Sequence, residues 1–185
     1  MTKLTRGMPA IAGTPGAPLL PRPSQLAGLG TVLCLYRSRR GSELAGWMQA
    51  VRAESTTSSS NEGLQECLSF VDLRGQCCWR LFLLPDSDFL AWDMLAATFP
   101  AHDAASRGAG LWRRLVRRMD GNGWRFRVLR LHVLVSGSTS QTLVASPAPV
   151  SALGATTARR IARREGAAGE VHPDQCHAPA EESPP

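Results

Sequence analysis

Between Leu68 and Leu95 the chain reads LSFVDLRGQCCWRLFLLPDSDFLAWDML, a stretch that admits few folds. Leu68-Ser69-Phe70-Val71 and Cys78-Trp79-Arg80-Leu81-Phe82-Leu83-Leu84 are apolar runs of strand length. Between them Asp72-Leu73-Arg74-Gly75 supplies turn chemistry, with Gly75 suited to the positive φ of a tight reversal. A β-hairpin is predicted. Pro85 ends its second strand, Asp86, Ser87 and Asp88 offer N-cap oxygens, and Phe89, Trp92, Leu95 and Phe99 recur at helical spacing until Pro100. The unit is strand, turn, strand, helix.

Around this unit the chain divides by composition. Residues 1–25 are rich in Pro, Gly and Ala without periodicity, which predicts a disordered arm. Thr31 to Tyr36 has strand propensity and ends in the basic turn Arg37-Ser38-Arg39-Arg40-Gly41. Leu44, Trp47 and Val51 fit a helical face, yet the stretch from Trp47 to Ala53 is read here as strand. Ser55 to Ser60 is expected to be a polar loop, and Ala101 to Gly110 a linker. Leu111, Leu115 and Met119 then mark a second helix with arginines on its remaining positions, and Trp124 to Val135 alternates as a long strand. Beyond Ser136 the Ser, Thr, Ala and Pro content, interrupted only by a short basic turn at 158–165, predicts a second disordered segment over 136–185. The expected fold is thus a single α+β domain over 26–135, an antiparallel meander with two packed helices and unstructured arms.

The formal charge of +6 is local: residues 105–135 carry eight arginines against Asp120, whereas 25–104 are net acidic. Five cysteines form no C-x-x-C pair, so neither a disulfide framework nor a zinc site follows from them. No run approaches the length of a membrane span and the N-terminus has no continuous apolar core, which points to the cytoplasm. Nucleophile, zinc-protease, phosphate-loop and dinucleotide motifs are missing, and Asp86, Ser87 and Asp88 are accounted for by helix capping.

The order and spacing of Phe70, Asp72, Gly75, Phe82, Leu83, Ser87, Asp88, Ala91 and Leu95, with Trp92 in an aromatic slot and Trp47 upstream, resembles the repeat unit of the bacterial haem-utilisation family, the HemS/ChuS-like haemin proteins. The resemblance spans about residues 47–99 and one unit, where full-length family members carry two. It implies an intracellular protein that binds, transports or stores haem downstream of haem uptake. Catalysis is not expected, and haem breakdown is the one enzymatic option the resemblance raises. On the second strand the family's histidine-lysine pair is Trp79-Arg80 here, so an axial ligand must come from elsewhere. His132 is the first choice as metal ligand, with Tyr36, the cysteines Cys34, Cys77 and Cys78, and His102 as further candidates. Arg37, Arg39 and Arg80 are the cations expected to meet the propionates, and Trp79 is the aromatic residue of the cofactor site. Surface arginines and a solvated strand histidine are the competing reading of the same residues. Expected partners are haem and a haem-uptake component or acidic protein, with a homodimer left open and nucleic acid not expected. The alternative function is a non-catalytic adaptor or regulatory module that uses the basic helix at 111–119 to hold an acidic partner or nucleic acid.

Overall fold

A computed structural model of the chain describes residues 20–37, 41–60, 63–103, 123–136, 140–169 and 171. The basic helix expected at 111–119, Arg39, residues 1–19 of the first expected arm and residues 137–139, 170 and 172–185 of the second lie outside these residues. The described elements, in order, are α1 (Pro23–Ala27), β1 (Thr31–Arg37), α2 (Ala45–Gln49), β2 (Ala50–Ser60), β3 (Gly63–Asp72), β4 (Cys77–Phe82), α3 (Phe89–Ala96), β5 (Ala101–Asp103), β6 (Trp124–Ser136), β7 (Ser140–Pro147), α4 (Ala152–Glu165) and β8 (Ala168–Gly169). The class is α+β, as expected. One sheet runs in the order β5-β2-β3-β4-β1-β6-β7, with β8 beside β6. Its pairings are antiparallel except for the short β5 on β2 and β8 on β6.

The hairpin forms where the turn chemistry places it. Gly75 has φ 74°, and the Asp72 carboxylate accepts the backbone N–H groups of Arg74 at 3.0 Å and Gln76 at 2.9 Å. Pairing slips by one residue between Phe70–Trp79 and Val71–Cys77, a bulge that adds Cys78 to β4. Cys78 and Trp79 consequently enter the same core, while Cys77 Sγ accepts from Arg80 Nε at 3.3 Å. After β4, Ser87 Oγ accepts from the Leu84 N–H and donates to Thr31 O, and Asp88 caps α3 by accepting from the Ala91 N–H at 2.9 Å. Trp92, Leu95 and Phe99 face inward as their spacing predicts; Phe89, at the first helical position, is instead half exposed.

Both faces of the sheet are covered. In β1 the residues Val32, Cys34 and Tyr36 join one core with Leu26, Phe70, Trp79, Trp92 and Leu131, under α1, α2 and α3. The alternate residues Leu33 and Leu35 join a second core with Phe82, Leu84, Phe126 and Val128, under Ala155, Ala158, Ile161 and Ala162 of α4. A central strand buried on both sides explains why β1 reads as an unbroken apolar run.

Four expectations need correction. Residues 140–169 are not a disordered tail: they supply an edge strand, a fourteen-residue helix and a short strand. Ser151 caps that helix by accepting from the Gly154 N–H, Gly166 closes it at φ 66°, and its small residues let it lie close on the sheet. Ser55 to Ser60 is strand, because a polar run with β3 on one flank pairs its backbone from Ser55–Leu68 to Ser60–Gly63. Trp47 is on a short helix, and the strand begins only at Ala50. Finally, Ala101 to Asp103 pairs in parallel with β2 rather than acting as linker, and the antiparallel sheet carries four described helices.

Candidate functional site

The expected site residues separate into three places. Tyr36 and Trp79 are register partners on the helix-covered face, both buried, and Trp79 Nε1 donates to Glu43 O at 2.7 Å. Trp47 and Phe70 stack around Trp79 with centroids 6.1 Å and 4.9 Å away. Tyr36, Phe70 and Trp79 are core, and Trp47 packs partly buried against them. Cys34 and Cys78 are buried in the same core. His102 lies on β5, whose backbone pairs with Thr56.

Arg37 and Arg80 do meet, on the opposite face. Their guanidinium carbons stand 4.8 Å and 5.4 Å from the ring centroid of Trp124, which the sequence pattern marks only as the start of a strand. Arg80 is also ion-paired to Glu165 at the end of α4, at 2.6 Å, with both side chains largely buried. Burial works against the Arg80 charge, but Cys77, Cys67 and Glu165 together hold its pKa above the ordinary value. Burial likewise raises the Cys67 thiol to about 12, so at neutral pH the charge that answers Arg80 is Glu165. This arginine is a bolt between β4 and α4, with Nε on Cys77 Sγ and Nη1 on the Glu165 carboxylate.

His132 lies elsewhere. It is eight residues along β6 from Trp124, about 26 Å at strand rise, on the part of the hairpin that runs past the end of β1. The last β1–β6 pair is Thr31–Arg130, whereas β6 and β7 stay paired to Ser136–Ser140. The face of β6 that buries Phe126 and Val128 beneath α4 continues as Arg130, His132 and Leu134, and there it is open: all three are exposed. Val144 is the register partner of His132 and so stands on the same face, and Ser146 Oγ is 2.8 Å from His132 Nε2. His132 and Arg130 also border a cleft of about 520 Å³, whose other walls are Ala27, Gly28, Gly30 and the 86–88 turn. The carboxylates of that turn have partners: Asp88 caps α3, and Asp86 accepts from the backbone N–H and hydroxyl of Ser151.

An iron porphyrin requires an axial ligand from His, Cys, Met or Tyr, a flat apolar surface and cations for two carboxylates. The outer half of the β6–β7 hairpin presents an imidazole on a pleated shelf, flanked by Leu134, Val144 and the Arg130 guanidinium. The residues present fit one side of such a ligand. Among the described residues no group of three or more His, Cys, Asp or Glu side chains could hold a metal ion. The positions of His132 and of Arg130 on one strand face follow from the two-residue alternation of β6. Those of Val144 and Ser146 do not, because β7 was read as tail. Comparisons with family models, with curated proteins and with solved structures give no match to this chain.

Proposed function

We propose that this protein binds haem, as a carrier or store rather than a haem-degrading enzyme, with His132 as axial ligand on the exposed β6–β7 shelf. The observation that carries this reading is the placement of His132 beside Arg130, Leu134 and Val144 on a strand face that no described element covers. Bound haem would supply a redox-active iron; the chain supplies its attachment. His132 would donate a ring nitrogen, Arg130 would meet a propionate, and Leu134 and Val144 would exclude water from one porphyrin face. Ser146 restrains the imidazole by its contact with Nε2, which leaves Nδ1 as the open donor unless that contact breaks. The likeness of residues 47–99 to the haem-utilisation unit supports the same reading, although of the arginines first assigned to the propionates Arg37 and Arg80 pack on Trp124 and Arg80 is paired with Glu165. A reducing cytoplasm suits the four free thiols at Cys34, Cys67, Cys77 and Cys78, and no helix among the described residues is long and apolar enough to cross a membrane.

Haemin titrated into the purified protein is expected to give a shifted Soret band saturating at one equivalent. His132→Ala should abolish or move the band, and Arg130→Ala should weaken binding by roughly tenfold, the loss of one charge-assisted contact. His172→Ala and His177→Ala should leave the spectrum unchanged. A wild-type spectrum identical to that of free haemin rejects the proposal.

A further inference from the structure

The two edges of the sheet are built differently. At one, β2 carries the ion-paired Arg52 and Glu54 and is covered over part of its length by β5. At the other, β7 is the last strand of the sheet among the described residues, and Ser140 to Pro147 contains no charged side chain. Which backbone groups of β7 face outward follows from its register. The Ala148 N–H donates to Val128 O at 3.2 Å, so Val128 and Ala148 form a hydrogen-bonded pair, and such pairs recur at every second position of an antiparallel ladder. Arg130–Ser146, His132–Val144 and Leu134–Thr142 are therefore the pairs that exchange N–H and C=O groups between β6 and β7. Gln141, Leu143 and Ala145 direct theirs away from β6, and Pro147, next in that series, has no N–H and ends the run. Natural edge strands are guarded by charge, by proline or by shortness; the guard on β7 is a proline at its end alone.

A row of outward donors and acceptors takes another strand, and β7 is complementary to itself. A two-fold axis at Leu143 sets Leu143 against its own copy and Gln141 against the other copy's Ala145, so that these residues exchange about six N–H···O bonds. Between them Val144 stands opposite the other copy's Thr142, and this close pair of β-branched side chains occurs twice. Like charges stay apart in this register. Arg130, the arginine of β6 that pairs with β7, would stand roughly 25 Å from its own copy, three strand spacings across and six residues along, beyond the screening length of about 8 Å. A charged foreign strand would gain nothing from β7, which has no charge to answer it. We propose that two copies of this chain pair antiparallel along β7 and join their sheets about a two-fold axis. The contact closes on itself, because the same edge is used in both copies. One short strand per copy is a small interface beside the ~1,600 Å² of a standard one, so dissociation in the micromolar range is expected. The pairing needs no haem and stands apart from that reading.

The test is sedimentation velocity of the haem-free full chain in reductant, from about 1 to 200 μM. The wild type should pass from monomer to dimer across this range. Gln141→Pro removes an outward N–H at an exposed position where β6 needs no donor, and should weaken association by about tenfold or more. Gln141→Thr keeps that N–H and should dimerise as the wild type does, and circular dichroism checks that both variants are folded. The register is read separately from Thr142→Cys/Val144→Cys under mild oxidation. Positions 142 and 144 of opposite copies form a non-hydrogen-bonded pair with Cα atoms about 4.5 Å apart, within disulfide reach, and peptide mapping should find them linked. A chain that stays monomeric throughout overturns the proposal, whether another segment of the chain or a foreign strand is what β7 holds. So does a dimer indifferent to Gln141→Pro, or one in which positions 142 and 144 do not link.

Discussion

Arg80 keeps 14% of its side chain exposed and Glu165 keeps 9%, so the ion pair between them is shielded on both sides. Removing one partner of such a pair leaves the other desolvated without compensation, which is costlier than removing both. Glu165→Gln is therefore expected to lower stability by about 2–3 kcal/mol. Arg80→Met combined with Glu165→Met should cost less than either single change, and urea midpoints would check both. Two single variants as stable as wild type would mean that water screens the pair. The same residues show why the sequence misassigned Arg80. From the chain alone an arginine on a strand flanked by Trp79 and Leu81 is a surface cation available to a ligand. Its real partner is 85 residues away, on a helix that the composition did not announce. His132 was easier to place, because the alternation of Phe126, Val128, Arg130 and His132 depends only on the two-residue period of a strand.

At the scale of elements, α4 decides whether the second core exists. It covers Leu33, Leu35, Phe82, Phe126 and Val128, and β7 supplies the edge beside β6. A chain cut after Ser136 should therefore lose cooperative unfolding and bind a dye for exposed apolar surface, whereas one ending at Val171 should unfold as the full chain does. A cooperative, soluble protein from the shorter chain would remove α4 from the core. The hairpin, the α3 cap and the length of β6 were legible because each rests on local rules: the φ of Gly75, the carboxylate of Asp88, the alternation from Trp124 onward. The helix α4 was missed because alanine was counted as filler. Read as small apolar residues, Ala155, Ala158 and Ala162 with Ile161 make a helical stripe, and Ser151 and Gly166 mark its two ends. The strand at Ser55 to Ser60 was missed for a different reason, since hairpin pairing with β3 and a parallel neighbour, β5, from more than forty residues on outweigh weak intrinsic propensity.

For the whole molecule, buried thiols tie stability to pH. Burial raises Cys67 from the usual 9.0 to about 12 and raises Cys34 further still. Between those limits the unfolded chain has released protons that the folded chain still binds, so stability is complete below about pH 9 and falls as pH rises. The slope is about 1.4 kcal/mol per pH unit for each thiol. Thermal midpoints measured from pH 8 to 11 should decline, and Cys34→Ala/Cys67→Ala should flatten that decline; an equally steep fall in the double variant would assign it to other groups. The position of β1 carries a further consequence. Made before its partners, it lies inside the sheet, where Thr31 meets Arg130 and Arg37 meets Trp124. Partners roughly ninety residues apart give a high contact order and slow closure. As the polypeptide leaves the ribosome, β1 has no β6 to pair with, and Leu33 and Leu35 have no lid until α4 has emerged. The nascent chain thus carries a greasy strand while all the residues between β1 and α4 are made, which is the kind of exposed segment that invites aggregation in unfinished proteins.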